Sequence, residues 1–262
     1  MVTAGQMTGM VMAIVLPILV GAVFYYLFWK RSSKMETGMM GAIGYGVMGY
    51  IWEKFIYIII LGLLALTKMT NVLNATGGNA VFVAAVEALL SAVFVSVGLY
   101  WGIYLTNTKQ RSLYRSATIG IGFGIGYSLL TYEGFQLYYA IKINSGTFSG
   151  ANGAKKTILA TSATSLYLAT YRNVLMLLIF LGIALLMGKY YLEKRHLYAW
   201  LIPVIVYMFI RFTDVILHTY LTNAIAKPIV LTILTILAAG SVWLVIGFLR
   251  TGELSVGKIE HQ

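Results

Sequence analysis

The sequence predicts an all-α integral membrane protein, a bundle of about seven transmembrane helices with the N-terminus outside and the C-terminus in the cytoplasm. Three observations predict it. Of 262 residues, 60% are hydrophobic and only 10% are charged. A soluble domain carries roughly 25% charged residues, so this chain cannot cover a surface that faces water on all sides. Apolar runs of the ~20 residues that a span requires recur at 8–29, 39–67, 81–105, 117–143, 162–187, 197–222 and 225–249. The basic residues gather in alternate connecting segments, as cytoplasmic loops require. Residues 1–262 therefore read as a single polytopic domain with a cytoplasmic tail at 250–262, and a multi-pass cell-membrane location is expected.

The first run has no basic residue before it, and Lys30, Arg31 and Lys34 follow it. A cleavable signal has the opposite polarity, so this run is expected to stay as a span. The second run is glycine-rich at its start and carries Glu53 and Lys54. Residues 68–80 read as an outer loop, where Asn74-Ala75-Thr76 fits a glycosylation acceptor in a eukaryotic secretory pathway. The third run carries Glu87, and the fourth carries the string GIGFGIG followed by Glu133. Residues 144–161, rich in Gly, Ser, Asn and Thr, read as a second outer loop. Arg172 lies in the fifth run, and Arg211, Asp214 and His218 lie in the sixth. Lys227 opens the seventh, too near its start for a retinal-binding lysine.

With the N-terminus outside, the inner segments hold eleven basic residues: Lys30, Arg31, Lys34, Lys109, Arg111, Arg115, Lys189, Lys194, Arg195, Arg250 and Lys258. The outer segments hold five: Lys68, Lys142, Lys155, Lys156 and Lys227. The net charge of +11 thus follows from topology and anionic lipid head groups. No basic-aromatic module points to nucleic acid. The expected partner is the lipid bilayer, with another membrane protein or a hydrophobic peptide as further candidates. The chain has no cysteine, which excludes disulfides, thiolate nucleophiles and iron–sulfur ligands.

Two features within the spans bear on function. Gly120, Gly122, Gly124 and Gly126 predict close helix packing, with a bent, cavity-lining helix as the alternative. No strand precedes them, so they are not a dinucleotide fingerprint. Charged side chains deep in a bilayer cost several kcal/mol unless paired or hydrated. At a rise of 1.5 Å per residue, Glu53 and Arg211 lie about 21 Å from the inner ends of their runs, Glu133 about 24 Å and Asp214 about 26 Å, while Arg172 lies about 15 Å from the outer end of its run. Three anions (Glu53, Glu133, Asp214) thus share a layer with three cations (Lys54, Arg172, Arg211), and Glu87 and His218 lie nearer the outer edge. Arg211, Asp214 and His218 follow i,i+3 and i,i+4 spacing on one helical face. Such a stripe can lock helices together, line a water-filled path, or, as His218 and Asp214 with a glutamate from another helix, hold a metal. Neither an H-E-x-x-H helix nor a G-x-S-x-G elbow occurs.

The opening MVTAGQMTGMVMAIVLPILVGAVFYYLFWKRSSK, followed by a helix with Glu53 and a second polar position, resembles the YhfC family. That family is grouped with bacterial intramembrane proteases of the CAAX-protease and PrsW-like kind. The likeness in order, helix lengths, loop charges and glycine string runs over most of the chain. The family's F-E-E-x-x-R-Y motif is matched by Phe94-Val95-Ser96-Val97-Gly98-Leu99-Tyr100, without the glutamates and the arginine. Its G-x-G-H-G-G-x-E motif is matched by Gly124-Ile125-Gly126-Tyr127-Ser128-Leu129-Leu130-Thr131, with Tyr127 in place of the histidine and Glu133 two residues late. Its E-R pair followed by a histidine reads Tyr171-Arg172, with Ile179 near the histidine position.

The resemblance implies a protease-like scaffold that has lost its acid–base residues. The expected function is a non-catalytic relative that binds a hydrophobic peptide, lipid or partner membrane protein in an intramembrane polar cavity. Lys54, Arg172, Arg211, Asp214 and His218 would line or brace it. One alternative is an active intramembrane peptidase with relocated residues, Glu53 or Glu133 as base and His218 with Asp214 as metal ligands. Another is a component of transport or bacteriocin immunity. No cofactor is expected except zinc under the peptidase alternative.

Overall fold

A computed structural model of the chain describes residues 1–31, 39–66, 80–107, 112–130, 132–150 and 152–251. Among these residues the secondary structure is entirely helical: α1 (Ala4–Arg31), α2 (Met39–Leu66), α3 (Ala80–Asn107), α4 (Leu113–Leu130), α5 (Tyr132–Asn144), α6 (Asn152–Ala160), α7 (Ala163–Leu192), α8 (His196–Tyr220) and α9 (Asn223–Thr251). Among the described residues five helices are long and apolar enough to cross a membrane: α1, α3 from Val81, α7, α8 and α9 from Ala224, with 25 to 30 residues each. At 1.5 Å per residue they extend about 38 to 45 Å, beyond the ~30 Å hydrocarbon core. The chain is a polytopic helical membrane protein, and its exposed apolar side chains, such as Leu19 and Val23 of α1 and Ile236 and Trp243 of α9, are lipid contacts.

Two helices form the centre. Every residue of α4 from Arg115 to Gly124 is buried, and 67% of the apolar window of α7 is buried. α1, α2, α3, α8 and α9 pack around this pair, α2 on α4 and α3, α3 on α8, and α1 and α9 on α7. α4 is too rich in glycine and polar residues to read as an apolar span, because protein rather than lipid surrounds it.

Glycine sets the closest approaches. A Cβ on Gly120 would lie 2.6 Å from the Phe180 carbonyl oxygen, and one on Gly124 would lie 2.8 Å from Leu177 Cα, both on α7. A Cβ on Gly122 would strike the Ile43 carbonyl, and one on Gly126 would lie 3.0 Å from Tyr50 Cβ, both on α2. Residues two apart on a helix point to nearly opposite sides, and residues four apart share one. The string GIGFGIG is therefore two interleaved small-xxx-small faces, one for each neighbour.

Within the apolar run 117–143 the structure describes two helical stretches on either side of residue 131, which lies outside the described residues. α4 ends at Leu130 and α5 starts at Tyr132. A Cβ on Gly134 would strike the Leu129 carbonyl. α5 then packs on α1. The segment 144–161, expected as a loop, contains the short helix α6, and Gln6 Nε2 of α1 ties its end by donating to the Leu159 and Thr161 carbonyls at 3.2 and 2.6 Å. Arg115, expected in a connecting segment, sits buried in the first turn of α4 and donates from Nη1 to the Thr106 carbonyl at 3.2 Å. The glycosylation tripeptide at 74–76 lies outside the described residues.

α7 and α8 meet in a tight turn. The Arg195 amide donates to the Tyr190 carbonyl at 2.8 Å and the Lys194 amide to the Tyr191 carbonyl at 3.1 Å. Lys194 has φ +60°, the left-handed conformation that closes many helix ends. The turn makes α7 and α8 antiparallel neighbours, which brings Arg172 near the start of one level with Asp214 near the end of the other.

Candidate functional site: a charged layer between two cavities

Asp214 is the hub of the charged layer. Its side chain is only 11% exposed. Arg172 Nη2 of α7 donates to Oδ2 at 3.1 Å, and Arg211 Nη1, one turn back on α8, lies 3.5 Å from the same oxygen. His218 Nδ1 lies 3.3 Å from Oδ1 and 2.8 Å from the Asp214 carbonyl oxygen. The i,i+3 and i,i+4 spacing along α8 places all three side chains on one face. Arg211 Nη2 also donates to Glu87 Oε1 of α3 at 2.6 Å. The chain Glu87–Arg211–Asp214–Arg172 thus links α3, α8 and α7 through consecutive ion pairs. Each acid is met by a guanidinium, which offsets the cost of holding charge in a low-dielectric layer.

Sequence depth alone separates Glu87 from Arg211, because it is counted from run ends. The structure joins them. Glu87 stands about two turns into α3 and Arg211 about two and a half turns before the end of α8. The two helices pack along their length, so these positions coincide. The Glu133 side chain lies outside the described residues.

Glu53 and Lys54 form a separate pair on α2. Glu53 lies on the buried face with Ala42, Gly46, Gly49 and Tyr50, and its side chain is 1% exposed. Lys54 Nζ donates to Oε1 at 3.3 Å and lies 3.3 Å from Oε2. Lys54 Nζ also sits 5.2 Å from the Tyr50 ring centre and 5.7 Å from that of Tyr57, within cation–π range.

A cavity of about 260 Å³ lies between these groups, where α2, α3, α4, α7 and α8 converge. Its polar lining is Lys54, Arg172 and Arg211, the phenols of Tyr50, Tyr57, Tyr127 and Tyr207, and Ser91. Aromatic rings run through the core beside it: Tyr50 to Phe123 at 5.2 Å, Phe123 to Phe180 at 4.9 Å, and Phe180 to Tyr207 at 5.9 Å. Cations and phenols can donate to a negatively charged or carbonyl-bearing group, while the rings bury apolar surface. A second cavity of about 180 Å³ lies between α7, α8 and α9, lined by Arg172, Asp214, His218, Lys227 and Ser165 with an apolar remainder. Arg172 borders both cavities, so its ion pair with Asp214 is the partition.

The structure brings together Arg172, Arg211, Asp214 and His218, and adds Lys54 across the larger cavity. Among the described residues no three His, Asp or Glu side chains gather as a ligand set, so His218 and Asp214 stand as a pair. Sequence reasoning met Tyr127 only as the residue in place of a histidine and missed Tyr50, Tyr57 and Tyr207. Their signal was spacing: Tyr207 is one turn before Arg211, and Tyr50 and Tyr57 flank Lys54 at i−4 and i+3. No protein-family model matches the chain, and no curated protein or solved structure shows significant similarity to it.

Proposed function

We propose that this is a YhfC-like membrane protein with seven spans, N-terminus outside, that binds the polar end of a hydrophobic peptide or lipid in the larger cavity without cleaving it. α4 continuing into α5 would be the fourth span. The topology rests on the excess of basic residues in alternate segments. One observation carries the binding reading: the cavity presents three cations and four phenols, while Asp214, Glu87 and Glu53 are each engaged by a cation. A carboxylate held in a guanidinium pair is a poor base for activating water. At about 30 Å³ per water, 260 Å³ holds roughly nine waters. That suits a head group or one side chain with a carbonyl, not a folded partner.

The contact between His218 and Asp214 favours a second reading, an active peptidase in which the pair helps hold a metal and Glu133 or Glu53 is the base. One experiment separates the two. Purified protein is incubated with a labelled transmembrane peptide, and both retention and fragment masses are measured. The binding reading expects retention without fragments. Cleavage by the wild type that Glu133→Gln abolishes overturns it.

A further inference from the structure

The smaller cavity shares Arg172 with the larger one, but Lys227, His218 and its apolar wall belong to it and not to the larger cavity. Arg172, His218 and Lys227 face one acid, Asp214, whose carboxylate is already shared by two arginines. Lys227 forms no ion pair with any described residue. α7 and α9 both begin at this end, with Ser165 in the first turn of one and Lys227 in the second turn of the other. Their amino ends add positive partial charge. The other wall is apolar, formed by Leu168, Val230 and Leu231. Leu168 is 40% exposed, so this wall continues onto the surface that meets lipid. A cationic cavity joined to a lipid-facing apolar wall complements an anionic amphiphile at both ends.

We infer that this cavity binds an anionic phospholipid, with the phosphate on Lys227 and His218, Arg172 closing the inner side, and an acyl chain running over Leu168 and Leu231. Its 180 Å³, the space of about six waters at ~30 Å³ each, fits a phosphate ester rather than a peptide. A free phosphate would use the cations but leave the apolar wall unoccupied.

The test titrates phosphatidylglycerol, phosphatidylcholine or inorganic phosphate into the purified full chain in neutral detergent and follows the thermal midpoint. Phosphatidylglycerol is expected to raise the midpoint, and the other two are expected to leave it unchanged. Lys227→Ala should weaken phosphatidylglycerol binding about fivefold, the factor for one lysine charge near an anionic head group. Lys227→Glu should abolish binding, and Lys227→Arg should keep it. Equal shifts with phosphatidylcholine, equal shifts with inorganic phosphate, or full affinity in Lys227→Ala would each overturn the inference. Lys227 is exposed, so these variants leave the packing intact. Native mass spectrometry gives a second measure: the wild type should keep one bound phosphatidylglycerol after detergent exchange, and Lys227→Glu should not.

Discussion

Replacing Gly49 with alanine tests whether backbone contact between α2 and α3 holds the bundle. A Cβ at position 49 would lie 2.7 Å from the Gly98 carbonyl oxygen, and a Cβ at 98 would lie 2.6 Å from the Gly49 carbonyl oxygen. Ordinary contact begins near 3.4 Å, so the helices must part by about 0.7 Å. The obstructing atom is backbone, which cannot swing aside as a side chain would. Alanine gains about 1 kcal/mol over glycine in helix propensity, and overpacking costs about 1–3 kcal/mol. The net expectation for Gly49→Ala is a loss of up to about 2 kcal/mol. Gly44 is the control, because nothing lies within 4 Å of its Cβ position and it is exposed. Gly44→Ala should be neutral or up to about 1 kcal/mol more stable. Purified variants unfolded by heat in one detergent give the comparison. The double variant Gly49→Ala/Gly98→Ala should lose less than the two single losses combined, since helices already parted admit the second methyl. A Gly49→Ala protein as stable as Gly44→Ala would refute the close-contact argument.

Arg211→Leu should cost about 2–4 kcal/mol by stranding Glu87 and removing one of the two guanidinium partners of Asp214, and adding Glu87→Leu should restore part of the loss in a double-mutant thermal series. Lys194→Gly should raise stability by about 0.5–1 kcal/mol, because φ +60° suits glycine better than a side chain, with the thermal midpoint as readout. The chain has no cysteine, so single introduced cysteines report topology: Lys156→Cys in intact cells should react with an impermeant maleimide, and Lys194→Cys should react only after permeabilisation. Tyr207→Phe should weaken retention of the transmembrane peptide roughly tenfold, the worth of about one buried hydrogen bond to a charged or carbonyl group, in the same retention assay.

Hydropathy made the long helices legible because lipid selects for apolar length almost regardless of partner. The end of α7, at Leu192, and the start of α8, at His196, fall where the charges of Glu193, Lys194 and Arg195 interrupt the apolar pattern. The close approach of Gly134 to the Leu129 carbonyl within 117–143 was not legible. It is a contact of backbone with backbone, which residue spacing does not announce. α6 was hidden for a different reason. Its nine residues contain few apolar side chains, so glycine, asparagine and lysine dominated the local reading.

The charged layer was half legible, and the reason is geometric. Partners on one helix obey a fixed period, so Arg211, Asp214 and His218 could be grouped from numbers alone. Partners on different helices depend on how far each helix is shifted along its neighbour, and that shift is set by packing. Gly49 against Gly98 fixes α2 relative to α3, and Gly120 and Gly124 against Phe180 and Leu177 fix α4 relative to α7. The packing of α8 on α3 and α7 sets which acids the arginines can reach. Glu87 meets Arg211 because α3 and α8 are held in that register, and a slip of one turn, about 5.4 Å, would exceed the 2.6 Å contact by twofold. Small residues set the heights of α2 against α3 and of α4 against α7, the pairs Glu87–Arg211 and Arg172–Asp214 join different helices and so depend on helix heights, and Glu53–Lys54 forms within α2 at any height.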